Sequence, residues 1–75
     1  MVMAMERIRI LIADDHAVMR AGLRLLLESR PDLQVAGDAA TGVETIEKVV
    51  SLQPDVLLLD IAMPGINGLE AARQV

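Results

Sequence analysis

The alternation of short apolar runs with helical patterns constrains this chain more than any other feature. Residues 7–13 read as a strand. Ile8, Ile10, Leu11, Ile12 and Ala13 become a continuous apolar run, as a strand covered on both faces requires. Over residues 16–30 the period turns helical. Arg20, Arg24 and Glu28 recur at i, i+4 and i+8 and predict a wet face. Met19, Gly22, Leu23 and Leu26 predict the opposite, buried stripe, broadened by Val18 and Leu25. Gly22 is expected to permit close helix packing, and Pro31 to end the helix.

Residues 33–39 alternate. Leu33, Val35, Gly37 and Ala39 are expected on one face and Gln34, Ala36 and Asp38 on the other, as in a half-buried edge strand. Thr41-Gly-Val-Glu44 is a capping box, in which hydroxyl and carboxylate satisfy free backbone N–H groups reciprocally. The helix it opens places Val43, Ile46, Val49 and Val50 on one side, and Pro54 follows it. Val56-Leu-Leu-Leu59 is then an unbroken apolar strand ending at Asp60. A loop with Pro64 and Gly65 leads to a third helix start, capped by Asn67 with Glu70 in the same box.

The order β-α-β-α-β-α predicts an α/β fold with a parallel sheet and helical crossovers. Right-handed crossovers and an edge-like second strand give the spatial order 2-1-3, with the first two helices on opposite faces. The third strand reads as a central one, yet that order leaves it at an edge. Residues 1–75 are therefore expected to be the N-terminal part of a larger domain, reaching just past the start of the third helix.

Composition narrows the functions. The 75 residues suffice for one small domain, and a 53% hydrophobic fraction without any aromatic residue implies an aliphatic core. There is no cysteine, which excludes disulfides and thiolate metal sites. Met1 to Met5 are apolar but lack a basic leader, and no run approaches the ~20 residues of a membrane span, so a cytoplasmic location is expected. The net charge of −4 and the absence of stacking aromatics argue against nucleic-acid contact by these residues.

Three carboxylates fall where chemistry is expected. Asp14 and Asp15 follow the first strand and Asp60 ends the third, its neighbour in the predicted order. Ligands of open α/β sheets bind outside the carboxyl ends of strands where the strand order reverses. Converging carboxylates repel one another unless a cation intervenes. Mg²⁺ suits such a place, since it binds one or two carboxylates and keeps waters and a substrate phosphate. Read singly, Asp14 or Asp15 could equally cap the first helix. His16 could be a metal ligand or phosphate carrier, but a lone histidine in the first turn of a helix is more often a packing or solvent-facing residue.

Two segments carry a resemblance. Ile10-Leu-Ile-Ala-Asp14-Asp15-His16 with Arg20-Ala-Gly22-Leu23 resembles the opening of two-component response regulators of the NarL/FixJ class. Leu57-Leu-Leu-Asp60-Ile-Ala-Met63-Pro64-Gly65-Ile-Asn67-Gly68 resembles the phosphorylation-site segment of their receiver domains. The resemblance implies a flavodoxin-like fold, with Asp60 as phosphoacceptor and a sensor histidine kinase as phosphoryl donor. It further implies Asp15 as a direct Mg²⁺ ligand, Asp14 acting through water, and the backbone carbonyl of Ala62 completing the set. Met63, Pro64 and Gly68 would shape the loop, and the first helix, through Arg20 and Arg24, would dock the kinase. A DNA-binding output domain is implied beyond these residues, as are the Thr or Ser and the Lys that contact the phosphoryl group. Two other classes compete. A haloacid-dehalogenase-type hydrolase needs a second Asp two residues after the nucleophile, where this chain has Ala62. A receiver-shaped interaction module without phosphorylation would have no use for the acidic trio. Self-association of the 75-residue chain, as a homodimer or by exchange of elements, is expected from its uncovered third strand.

Overall fold

A computed structural model describes residues 7–60. The predicted third helix and the loop before it, with Ala62, Met63, Pro64, Gly68 and Asn67, lie outside the described residues. The elements are β1 (Ile8–Ala13), α1 (Ala17–Glu28), β2 (Leu33–Ala39), α2 (Gly42–Leu52) and β3 (Val56–Leu59). The three strands form one parallel sheet in the order β2-β1-β3.

β1 is central because its sequence tolerates cover on every side. Ile10, Leu11, Ile12 and Ala13 are all at most 4% exposed. On one face Ile10, Ile12 and Val35 pack with Leu23 and Leu27 of α1 and with Leu33. On the other, Leu11 faces α2, and a Cβ added at Gly37 would lie 2.9 Å from Cδ1 of Leu52. The absence of a side chain at Gly37 thus lets α2 approach the sheet closely. The two helices cover opposite faces, as the chain order predicts.

Three expectations about faces are corrected. In β2 the register steps from Ile10↔Val35 to Leu11↔Gly37, so Ala36 is an extra residue, a β-bulge. Leu33 and Val35 therefore look toward α1, whereas Gly37 looks toward α2, and Asp38 returns to the α1 side. In α1 the sheet-facing residues are Leu23 and Leu27, while Val18, Met19, Leu25 and Leu26 are exposed. Among the described residues nothing lies within 4 Å of a Cβ added at Gly22, so no close helix packing is seen there. The helix is apolar around most of its circumference, so periodicity alone could not set its phase. In α2, Val43 and Val50 are exposed, and Gly42 and Thr45 are buried instead. The Thr45 hydroxyl reaches back to the Thr41 carbonyl at 2.7 Å, which satisfies its buried side-chain oxygen.

Local chemistry sets both ends of α2. The Thr41 Oγ1 accepts from the Glu44 N–H at 3.1 Å, and Glu44 Oε1 accepts from the Ala40 N–H at 2.6 Å. The capping box is thus present, with its return bond one residue earlier than predicted. This bond holds the Glu44 carboxyl below its ordinary range. α2 stops at Gln53, whose φ of 51° is left-handed. Arg9 of β1 then donates from Nη1 to the carbonyls of Leu52 and Gln53 at 2.6 and 3.0 Å, a cation at a helix C-terminus.

Candidate functional site at the carboxyl edge of the sheet

The ladder of β1 runs one residue past its end on both sides, and this places the acidic residues. The Asp14 N–H donates to the Ala39 carbonyl at 3.0 Å, and the Asp60 N–H donates to the Ala13 carbonyl at 2.8 Å. Both aspartates therefore leave the sheet at the same edge, on adjacent strands, as predicted. Asp15 follows at once. One carboxylate oxygen each from Asp14, Asp15 and Asp60 and a ring nitrogen of His16 lie within 4.8 Å of one another. The side chains are partly open to solvent, Asp14 least and Asp15 most among the three acids. An open cleft of about 380 Å³ continues from Asp14 and Asp60 over Ile12, Leu23, Leu58 and Leu59.

Asp14 is both a site residue and the tether of α1. Its Oδ1 accepts from the His16 N–H at 2.8 Å, an Asx turn that leads the chain into the helix. That backbone bond is the main reason its carboxyl is held below the ordinary aspartate value. Asp14 therefore does not cap α1 itself, whose N-cap is His16 without a side-chain cap bond, but orients the residue that begins it.

His16 is solvent-facing, as expected, with 70% of its side chain exposed, and it still stands in the cluster. Its Nδ1 lies 2.9 Å from Asp14 Oδ1, 3.0 Å from Asp15 Oδ1 and 4.0 Å from Asp60 Oδ2. The hydrogen bond to Asp14, then the Asp15 charge, raise its pKa above the ordinary histidine value. Its place directly after two aspartates in a strand-to-helix turn is the signal that could have found it.

Arg20 departs from the expected wet face, with its side chain only 20% exposed, whereas Arg24 and Glu28 stay open to solvent at 40% and 46%. Arg20 Nη1 donates to the Asp14 carbonyl at 2.7 Å, and Arg24 Nη2 donates to Asp38 Oδ2 at 3.3 Å. Both guanidinium groups thus reach acceptors at the end of the sheet, on Asp14 and Asp38.

The family model described as "Response regulator receiver domain" matches residues 10–75. This chain belongs to the response regulator receiver family. It is 46% identical over 68 residues to the transcriptional regulatory protein LiaR of Bacillus subtilis, covering 91% of this chain and 32% of LiaR. It is equally 46% identical over 68 residues to a protein-glutamate methylesterase/protein-glutamine glutaminase of Thermotoga maritima, covering 91% of this chain and 20% of that protein. Among solved structures, the response regulator domain of T. maritima CheB superposes with a TM-score of 0.89 at 45% identity, covering 92% of this chain and 52% of that one. The flavodoxin-like receiver fold and its role in phosphorelay signalling follow from this membership. The chain spans about a third of LiaR and about half of the solved CheB chain. Receivers this similar occur in both a transcriptional regulator and a methylesterase, so the receiver sequence does not decide what it controls.

Proposed function

We propose that the protein accepts a phosphoryl group on Asp60 from the phosphohistidine of a sensor kinase, with Mg²⁺ held by the surrounding carboxylates. The convergence of Asp14, Asp15 and Asp60 at the carboxyl edge carries this reading. The donor set fits Mg²⁺, since three hard carboxylates stand together and remain partly open to the waters this ion retains. Asp15 and Asp60 would bind it directly, Asp14 through water, and the backbone carbonyl of Ala62 would complete the protein ligands. Bound there, the ion would neutralise charge on the phosphoryl oxygens.

The rest of the chemistry belongs to the chain. A carboxylate oxygen of Asp60 attacks phosphorus, a P–O bond forms as the P–N bond breaks, and the imidazole of the kinase leaves with the bonding pair. Such a transfer asks mainly for positioning and charge neutralisation. The Asp60 N–H bond to Ala13 fixes the main chain from which the nucleophile projects. The donor itself would dock on α1, whose Val18, Met19, Leu25 and Leu26 are exposed.

Residues 1–75 would be the front part of a receiver domain in a cytoplasmic regulator that controls a DNA-binding output domain, a reading supported by the likeness to a transcriptional regulatory protein. Among the described residues no helix is long and apolar enough to cross a membrane. Calorimetric titration with Mg²⁺ tests the metal reading. Asp15→Asn should weaken binding about tenfold or more, and more than Asp14→Asn, whose oxygen already serves the α1 turn. Equal affinity in wild type and both variants would reduce these acids to helix caps.

A further inference from the structure

Arg20 is part-buried under the carboxyl edge, with its side chain only 20% exposed. Its Nη1 donates to the main-chain carbonyl of Asp14 at 2.7 Å, and its Nε lies 3.9 Å from Asp38 Oδ1. Asp38 is itself held in place. Its carboxylate accepts from Arg24 at 3.3 Å, and its carbonyl accepts from Lys48 Nζ of α2. The guanidinium of Arg20 is thus set by an anchored partner on β2 and points at one backbone oxygen.

That oxygen matters because the peptide unit is planar. The carbonyl of Asp14 belongs to the peptide plane that leads into Asp15, so holding it sets the direction in which Asp15 leaves the strand. The other side of Asp14 is already tied, by its N–H to the Ala39 carbonyl at 3.0 Å. Asp15 itself lies outside both β1 and α1, between Asp14, whose N–H extends the β1 ladder, and His16, whose carbonyl accepts from the Arg20 N–H at 3.0 Å. With the Asp14 carbonyl released, the joining peptide can rotate and carry the Asp15 carboxylate away from Asp60.

We infer that Arg20 is a positioning residue of the acidic centre, fixing Asp15 through the Asp14 carbonyl and thereby setting metal affinity without touching the ion. The inference rests on the Mg²⁺ reading of the site proposed above. Groups that orient ligands from behind typically change metal affinity by about 10- to 100-fold when removed. Arg20 differs from a structural ion pair in one respect: its partner is the backbone of a ligand residue.

Calorimetric Mg²⁺ titrations on folded protein test this. They would compare wild type, Arg20→Gln, Arg20→Lys, Asp38→Asn, Arg20→Gln/Asp38→Asn, Asp15→Asn, Asp60→Asn and Glu28→Gln, with a thermal midpoint for each. Arg20→Gln should weaken Mg²⁺ binding about tenfold. Arg20→Lys should recover part of that loss, since an ammonium can still donate to the carbonyl but lacks the fork that Asp38 orients. Asp38→Asn should weaken binding in the same direction, and the double variant should be no worse than Arg20→Gln, because the two act as one unit. Glu28→Gln, on the same helix and only a loose partner of Arg24 at 4.0 Å, should bind as wild type. If Arg20→Gln does not fold, a loss in both Arg20→Lys and Asp38→Asn relative to Glu28→Gln supports the inference, and no loss overturns it. Wild-type affinity in Arg20→Gln beside lost binding in Asp15→Asn overturns the role of Arg20 and leaves the site intact. Wild-type affinity in both Asp15→Asn and Asp60→Asn removes the metal reading, and this inference with it.

Discussion

Asp14 shows how one side chain can serve fold and site together. It begins α1 through the His16 N–H and stands in the acidic cluster with Asp15 and Asp60. The aspartates were legible in the sequence because strand ends and acid types are local properties. His16 and Arg20 were not, because what each touches depends on how α1 is rotated against the sheet. The titration of His16 follows from its neighbours. Its pKa is raised by Asp14 and then Asp15, so the charged ring is favoured in the folded protein. Its contribution to stability is fully present below the unfolded value of about 6.5 and is lost as pH rises through the folded value. Asp14 has the opposite sign. Its pKa is lowered, chiefly by the His16 N–H, so its contribution is present above the unfolded value and lost as pH falls through the folded one. The chain has a single histidine, so its ring resonances can be followed by NMR without ambiguity. The midpoint should lie above 6.5 and fall toward it in Asp14→Asn. A midpoint unchanged by that variant would remove Asp14 as the main cause.

At the scale of elements, β1, β3 and the order 2-1-3 were readable because continuous apolar runs and crossover rules do not depend on detail. The faces of β2 were not. Its alternation is regular in sequence, but the bulge at Ala36 turns the second half over, which brings Asp38 to the side where Arg20 and Arg24 meet it. The phase of α1 was hidden by apolar residues on both of its sides. Capping, by contrast, is a local bond pattern and was legible in α2 apart from the residue receiving the Glu44 carboxylate. Thr41→Ala should therefore destabilise the protein by about 1 kcal/mol in urea unfolding. Leu11→Ala should cost about 2–5 kcal/mol, because Leu11 is fully buried at the centre of the sheet. The reverse ranking would show that β1 is not the core these contacts describe.

For the molecule as a whole, the described residues leave apolar surface uncovered on the α1 side of the sheet. Val56 and Leu58 of β3 are 40% and 36% exposed, and Leu25 and Leu26 of α1 are exposed as well. An edge strand of this kind is a template for another chain. The 75-residue chain should thus self-associate, with a scattering mass that rises with concentration. A monomer at every concentration would show that this surface is not adhesive. Receiver membership, the parallel sheet and the acidic edge all meet at Asp60, and the central claim is that this carboxylate takes up phosphate. The direct measurement is intact mass after incubation of the protein, with its complete receiver domain, with a small acyl phosphate and Mg²⁺. One phosphoryl group should be added, removable by hydroxylamine and absent in Asp60→Asn, because an amide cannot form an acyl phosphate. Undiminished, hydroxylamine-sensitive modification of Asp60→Asn would contradict the account.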